Sequence, residues 1–139
     1  MTGRHPTPSA LLAVALGGAL GAVLRWSLDQ AAPDGSGFPW TTFAINVSGA
    51  FLLALLPAIA LVRERPVLAV GLGPGLLGGY TTLSLYADQT RALWADGDGP
   101  VAAAYLVGTL GCCLVAVALA SRLSTPAEQQ QFADEEGDE

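Results

Sequence analysis

Asn46 sets a carboxamide within Thr41-Thr42-Phe43-Ala44-Ile45-Asn46-Val47-Ser48-Gly49-Ala50-Phe51, among aliphatic and aromatic neighbours. A polar group in such surroundings costs free energy unless it is paired. Its N–H2 can donate to a desolvated anion or to a carbonyl of a neighbouring helix, and taken alone the second use, glue between helices, is the simpler reading. A second polar cluster, Thr81-Thr82-Leu83-Ser84, follows Gly71, Gly73, Pro74, Gly75, Gly78, Gly79 and Tyr80. Proline removes an N–H and glycine permits non-helical backbone, so a helix of this composition is expected to break and to free carbonyls at membrane depth. Lipid cannot satisfy those carbonyls, which must then face protein, water or an ion. Further on, Tyr105, Thr109 and Cys113 recur at i, i+4 and i+8 on one helical face. This stripe reads equally as a polar track or as a small-residue packing face with Gly108 and Cys112.

Other chemistries are excluded. His5 is the only histidine and lies near the N-terminus, which leaves no His-based catalytic or metal constellation. Gly71-x-Gly73 has Leu76 at the third glycine position and no βαβ context, so it is no nucleotide site. Cys112 and Cys113 are neighbours on a helix and point in different directions, which suits packing and neither a disulfide nor a metal pair. No enzyme and no nucleic-acid binder is expected.

The elements that must position these groups are membrane helices. Of 139 residues 52% are hydrophobic and 13% charged, with a mean hydropathy of +0.48. The apolar residues are concentrated in uncharged runs from Pro6 to Leu24, Gly37 to Val62, Pro66 to Ala87 and Gly99 to Ser121, each long enough to cross a bilayer. The predicted spans are Ala10 to Trp26, Trp40 to Val62, Val67 to Tyr86 and Pro100 to Ala120. They are joined by turn-rich loops at Asp34–Pro39, Arg63–Pro66 and Asp96–Gly99. A cleaved signal peptide is disfavoured, because the first run passes through several glycines to Arg25 without a cleavage box and three further spans follow. Trp26, Trp40 and Trp94 fall at predicted span ends and read as interfacial anchors. The glycine pairs Gly71-x-x-x-Gly75 and Gly75-x-x-x-Gly79 also fit close helix approach. Packing alone leaves the Thr-Thr-x-Ser cluster unexplained, and packing together with an ion site is preferred.

The division expected is a leader over 1–9, a four-helix membrane domain over 10–121 and an acidic tail over 122–139. The formal charge of −6 is matched by the six acidic residues after Arg122, namely Glu128, Asp134, Glu135, Glu136, Asp138 and Glu139, without which the chain is neutral. The tail has no periodicity and one large apolar residue, Phe132, and is expected to be disordered. Arg4, Arg63, Arg65 and Arg122 fall on one side of the membrane and Arg25 and Arg91 on the other, a weak bias for an inside N-terminus. No Asp, Glu or Lys lies within the predicted spans, which argues for passive conduction over proton-coupled exchange.

Gly17-Gly18-Ala19-Leu20-Gly21-Ala22-Val23-Leu24-Arg25, the run around Asn46 and Gly78-Gly79-Tyr80-Thr81-Thr82-Leu83-Ser84-Leu85-Tyr86 stand in an order and spacing that resembles the Fluc (CrcB-type) fluoride channel family. The resemblance covers Gly17 to about Ser121. It implies an all-α membrane protein whose third helix is broken near the midplane, assembled as an antiparallel dual-topology dimer in the cell membrane. It implies passive export of fluoride that relieves its toxicity, with pore residues Asn46, Thr82, Leu83, Ser84, Tyr86, Tyr105, Thr109 and Cys113 and with Arg25 at the vestibule. It further implies a structural sodium ion at the dimer interface, held by the backbone carbonyls of Gly78 and Thr81. Phenylalanine is usual in the family where Leu83 and Tyr86 stand, and threonine is common where Leu85 stands. Leu83 has no ring edge to offer an anion. The partner is therefore itself or a homologous, oppositely oriented subunit, and a non-conducting or half-competent partner subunit is the alternative. A small four-helix multidrug or cation exchanger would need a carboxylate in the first span, which has none.

Overall fold

The computed structural model describes residues 7–137, and nearly all of that length is helical. Arg4 and His5 at one end, and Asp138 and Glu139 at the other, lie outside the described residues. Helix α1 (Pro8–Ala31) begins with proline at its first position and with Thr7 as cap, whose hydroxyl accepts from Ala10 N at 3.2 Å. The helix therefore starts inside the expected leader, and it runs five residues past Trp26. Helix α2 (Trp40–Leu55) gives way to a 3-10 turn at Leu56–Ala58, where Pro57 cannot donate, and the short α3 (Ala60–Arg63) follows after the extended Ile59.

The third span is composite. Helix α4 (Pro66–Val70) passes into a π-helical segment over Gly71–Leu77, then one turn of α5 (Gly78–Tyr80), and after Thr81 and Thr82 it resumes as α6 (Leu83–Ala95). The break expected from the glycines and Pro74 thus exists but lies beyond them, at the two threonines. The wider π turn absorbs the proline, while the glycines serve helix contact. A Cβ on Gly21 would lie 2.0 Å from Leu76 O, and one on Gly79 would lie 2.3 Å from Gly18 O. Here α1 touches the backbone of the third span directly, which only residues without side chains allow.

Helix α6 ends in a Schellman motif. Gly97 has φ +88°, Asp98 N donates to Leu93 O and Gly97 N donates to Trp94 O. Helix α7 (Gly99–Ala120) then returns through the membrane and packs on α2 and α6. Four segments are long and apolar enough to cross a bilayer, at Pro8–Ala31, Trp40–Ala58, Pro66–Ala95 and Gly99–Leu123. Leucines and valines of α1 and α7 point outward along much of their length, among them Leu20 and Val107. In water that surface would aggregate; in lipid it is matched. Trp40 and Trp94 sit exposed at helix ends as anchors should, whereas Trp26 lies within α1.

The expectation of a disordered tail is corrected by a twelve-residue helix, α8 (Pro126–Gly137), that follows a 3-10 turn at Ser121–Leu123. Thr125 and Glu128 form a reciprocal capping box, with Thr125 N donating to Glu128 Oε2 at 2.7 Å and Glu128 N to Thr125 Oγ1 at 3.3 Å. Arg63 pairs with the same carboxylate at 3.0 Å, and Phe132 is buried in the cluster that includes Leu56, Val62 and Leu77. Hydrogen bonds from the Thr125 N–H and hydroxyl hold the Glu128 carboxyl below the usual range, with Arg63 adding to them.

Candidate functional site

The break is built by side chains that take over backbone bonds. In a continuous helix Thr82 N would donate to Gly78 O and Leu85 N to Thr81 O. Instead Thr82 N donates to Asn46 Oδ1 at 2.9 Å, and Leu85 N donates to Thr82 Oγ1 at 3.1 Å, which caps α6. Asn46 Nδ2 returns a bond to Thr82 O at 3.0 Å. The amide is therefore glue between α2 and the broken span, as its surroundings suggested, yet the pair with Thr82 uses only one of its two N–H groups. The break leaves the carbonyls of Gly78, Gly79, Tyr80 and Thr81 without their helical donors, and of these Gly79 O accepts from Arg25. Gly49 lets the Thr81 side chain close in, since a Cβ there would lie 2.2 Å from Thr81 Cγ2.

A cavity of about 540 Å3 lies along this break. Asn46, Gly78, Thr81, Thr82, Leu83, Tyr86, Thr109 and Cys113 all line it, so α2, the third span and α7 each contribute expected residues. Phe132 of α8 lines it as well. Thr109 is almost wholly buried, and its hydroxyl is the single buried side-chain polar atom among the described residues without a hydrogen-bond partner. An orphaned buried hydroxyl is costly unless something the protein does not itself contain completes it. Leu83 is 78% exposed at the rim and offers only methyl groups.

Three expected residues stand elsewhere. Ser84 is exposed on α6, with its hydroxyl 3.4 Å from Thr82 Oγ1. Arg25 reaches the third span from the α1 side, where Nε donates to Gly79 O at 3.4 Å; it satisfies a carbonyl beside the break and does not line the cavity. Tyr105 is fully buried behind Tyr86, their rings edge-to-face at 5.1 Å, and its hydroxyl donates to Gln89 Oε1 at 2.8 Å. Of the two cysteines, Cys113 is half-buried against the cavity, while Cys112 is exposed.

Sequence reasoning missed Asp34 and Gln89. Asp34 is a turn residue by type, yet it accepts from Thr41 N at 2.7 Å, from Thr42 N at 3.2 Å, from Thr42 Oγ1 at 2.8 Å and from Gln89 Nε2 at 3.1 Å. Partial burial works against the charge, but these four donors outweigh it and hold the Asp34 carboxyl below the ordinary carboxylate range. A carboxylate shortly before Thr-Thr at a helix start was the available signal for the cap. Nothing local signals Gln89, whose partners lie 55 and 16 positions away in the chain.

Fold and site together define an integral, multi-pass membrane protein with a mainly apolar cavity, carrying a few polar side chains, at a broken third span. Residues 12–121 match the family model described as CrcB-like protein, Camphor Resistance (CrcB). The chain is 40% identical over 130 residues to a protein of Nocardia farcinica named fluoride-specific ion channel FluC 2, covering 88% of this chain and 92% of that one. It is 43% identical over 120 residues to the fluoride-specific ion channel FluC of an Anaeromyxobacter species, covering 81% and 93%. It is 42% identical over 113 residues to FluC 1 of Streptomyces coelicolor, covering 78% and 72%. This chain belongs to the CrcB-like family.

Proposed function

We propose that the chain is a subunit of a fluoride-selective channel in the cell membrane, through which fluoride leaves the cell passively. The relatives bear the name of such a channel. The observation that carries the reading is that one cavity gathers donors the protein does not itself consume, the second N–H of Asn46 and the partnerless hydroxyl of Thr109. Fluoride is small and strongly hydrated, so a selective path must replace its water with fixed neutral donors. An inside-negative potential then drives the anion outward by about 2.3 kcal/mol per 100 mV, and no pump is needed.

A pair of such subunits in opposite orientations forms the working unit in this reading. A structural sodium ion held by the carbonyls of Gly78 and Thr81 is compatible with the break, since both are among the four carbonyls, Gly78 to Thr81, left there without helical donors. Bound there, sodium would supply positive charge to oxygens that lipid cannot satisfy.

The test is fluoride efflux from liposomes containing the purified protein, with and without a homologous subunit. Asn46→Asp turns a donor toward the anion into a repelling acceptor, and flux is expected to vanish. Undiminished flux in that variant would remove Asn46 from the path.

A further inference from the structure

Helix α8 follows the four spans in the chain, yet Phe132 brings it to the wall of the cavity. The lining residues give that cavity two unlike ends. Asn46, Thr82 and Tyr86 mark one, with Thr109 a single turn from Leu106, whose carbonyl accepts from the Tyr86 hydroxyl. Leu53, Gly73, Pro74 and Leu77 mark the other, about two helical turns further along α2, and bring no polar side chain. Phe132 shares a buried cluster with Leu56, Val62 and Leu77, so its ring belongs to this apolar end. Beside it, Arg63 donates through Nη1 to Pro57 O and pairs through Nη2 with Glu128, which ties α8 to the end of the second span. The pair is partly open to solvent, at 15% and 31% side-chain exposure, and is therefore a weak tie.

We infer that α8 is a gate on the fluoride path: docked, it stops the apolar end of the cavity with Phe132, and undocked, it opens that end. The inference rests on the proposed path through this cavity. An apolar constriction closed by a ring offers a hydrated anion nothing in place of its water, which is how hydrophobic gates close a channel. The stopped end adjoins the Arg63–Pro66 loop, on the side that the basic residues mark as cytoplasmic, so the gate acts on fluoride entering from the cell. Burial of one ring and one solvent-screened ion pair make a closure that can be released without disturbing the spans.

Glu128→Gln separates the tie from the fold. Glutamine still completes the capping box with Thr125 and loses the ion pair with Arg63. Docking should weaken by up to about fivefold, and fluoride efflux from liposomes should rise while the melting temperature in detergent stays close to that of the wild type. Phe132→Ala removes the stopper, and efflux should rise at least as much. In that background Glu128→Gln should bring no further rise, since a tie without its stopper controls nothing. Efflux that stays level or falls in Glu128→Gln overturns the inference while leaving a conducting channel, and so does an equal rise from Glu128→Gln in the Phe132→Ala background. Where Phe132→Ala does not assemble, Glu128→Gln alone decides. If the wild type and both variants pass no fluoride, alone or beside an opposed homologous subunit, the functional reading falls and the inference with it.

Discussion

Thr109 and Asn46 reach the cavity with opposite structural obligations. Asn46 is bonded on both sides of its amide to Thr82, so any change there disturbs the break as well as the path. Thr109 holds nothing together through its hydroxyl, which is buried and partnerless. Thr109→Val keeps the shape and removes the orphan, so thermal stability in detergent should hold or rise, by about 1 kcal/mol if the hydroxyl's lost hydration is recovered. Fluoride flux should fall in the same variant. A lower melting temperature with undiminished flux would make Thr109 a packing residue. Spacing alone could not have separated these two threonine roles, because an i, i+4, i+8 stripe describes a face of a helix and not what that face meets.

At the level of elements, the close approach of α1 and the third span depends on individual glycines. A Cβ on Gly21 would collide with Leu76 O, whereas one on Gly18 would rest 3.9 Å from Gly75 O. Gly21→Ala should therefore destabilise the protein by at least the 1–3 kcal/mol typical of overpacking (about that range), while Gly18→Ala is tolerated; melting curves of both variants check this. The cap on α2 gives a pH signature. The folded-state value of Asp34 is lowered, so its contribution is present above the ordinary carboxylate range and is lost as pH falls through the lowered value. Thermal stability should show a carboxylate-dependent drop below about pH 4, and Asp34→Asn should shrink that step, leaving the part due to Glu128. Much of this architecture was legible. Four apolar runs mark the spans, and the glycine-rich stretch announces both close packing and a broken helix. The position of the break was not legible, because it is set by Asn46 pairing with Thr82 across 36 positions of chain, beyond the reach of local pattern. Helix α8 was hidden by its acidic composition, although Thr125-x-x-Glu128 is a capping signature and Phe132 supplies the one apolar anchor.

For the whole molecule, the prediction is that the proposed channel subunit works as a heterodimer with an oppositely oriented homologous subunit. One sequence forms an opposed homodimer most easily when its basic residues are balanced across the membrane. Arg25 donates to Gly79 O and is committed to the third span, so it counts little as a loop charge, and Arg91 is left against Arg4, Arg63, Arg65 and Arg122. That imbalance favours an inside N-terminus. Leu83, at the cavity rim, brings no ring edge for an anion, and a partner with phenylalanine at that position would supply one. Expressed alone, the chain should insert with its tagged N-terminus on the cytoplasmic side and give slow fluoride efflux in liposomes. Co-expression with an oppositely oriented homologue should speed efflux, and Leu83→Phe should recover part of the gain for the chain alone. Mixed orientation together with fast fluoride efflux in the absence of any partner would show instead that Tyr86 and Asn46 suffice and that the chain pairs with itself.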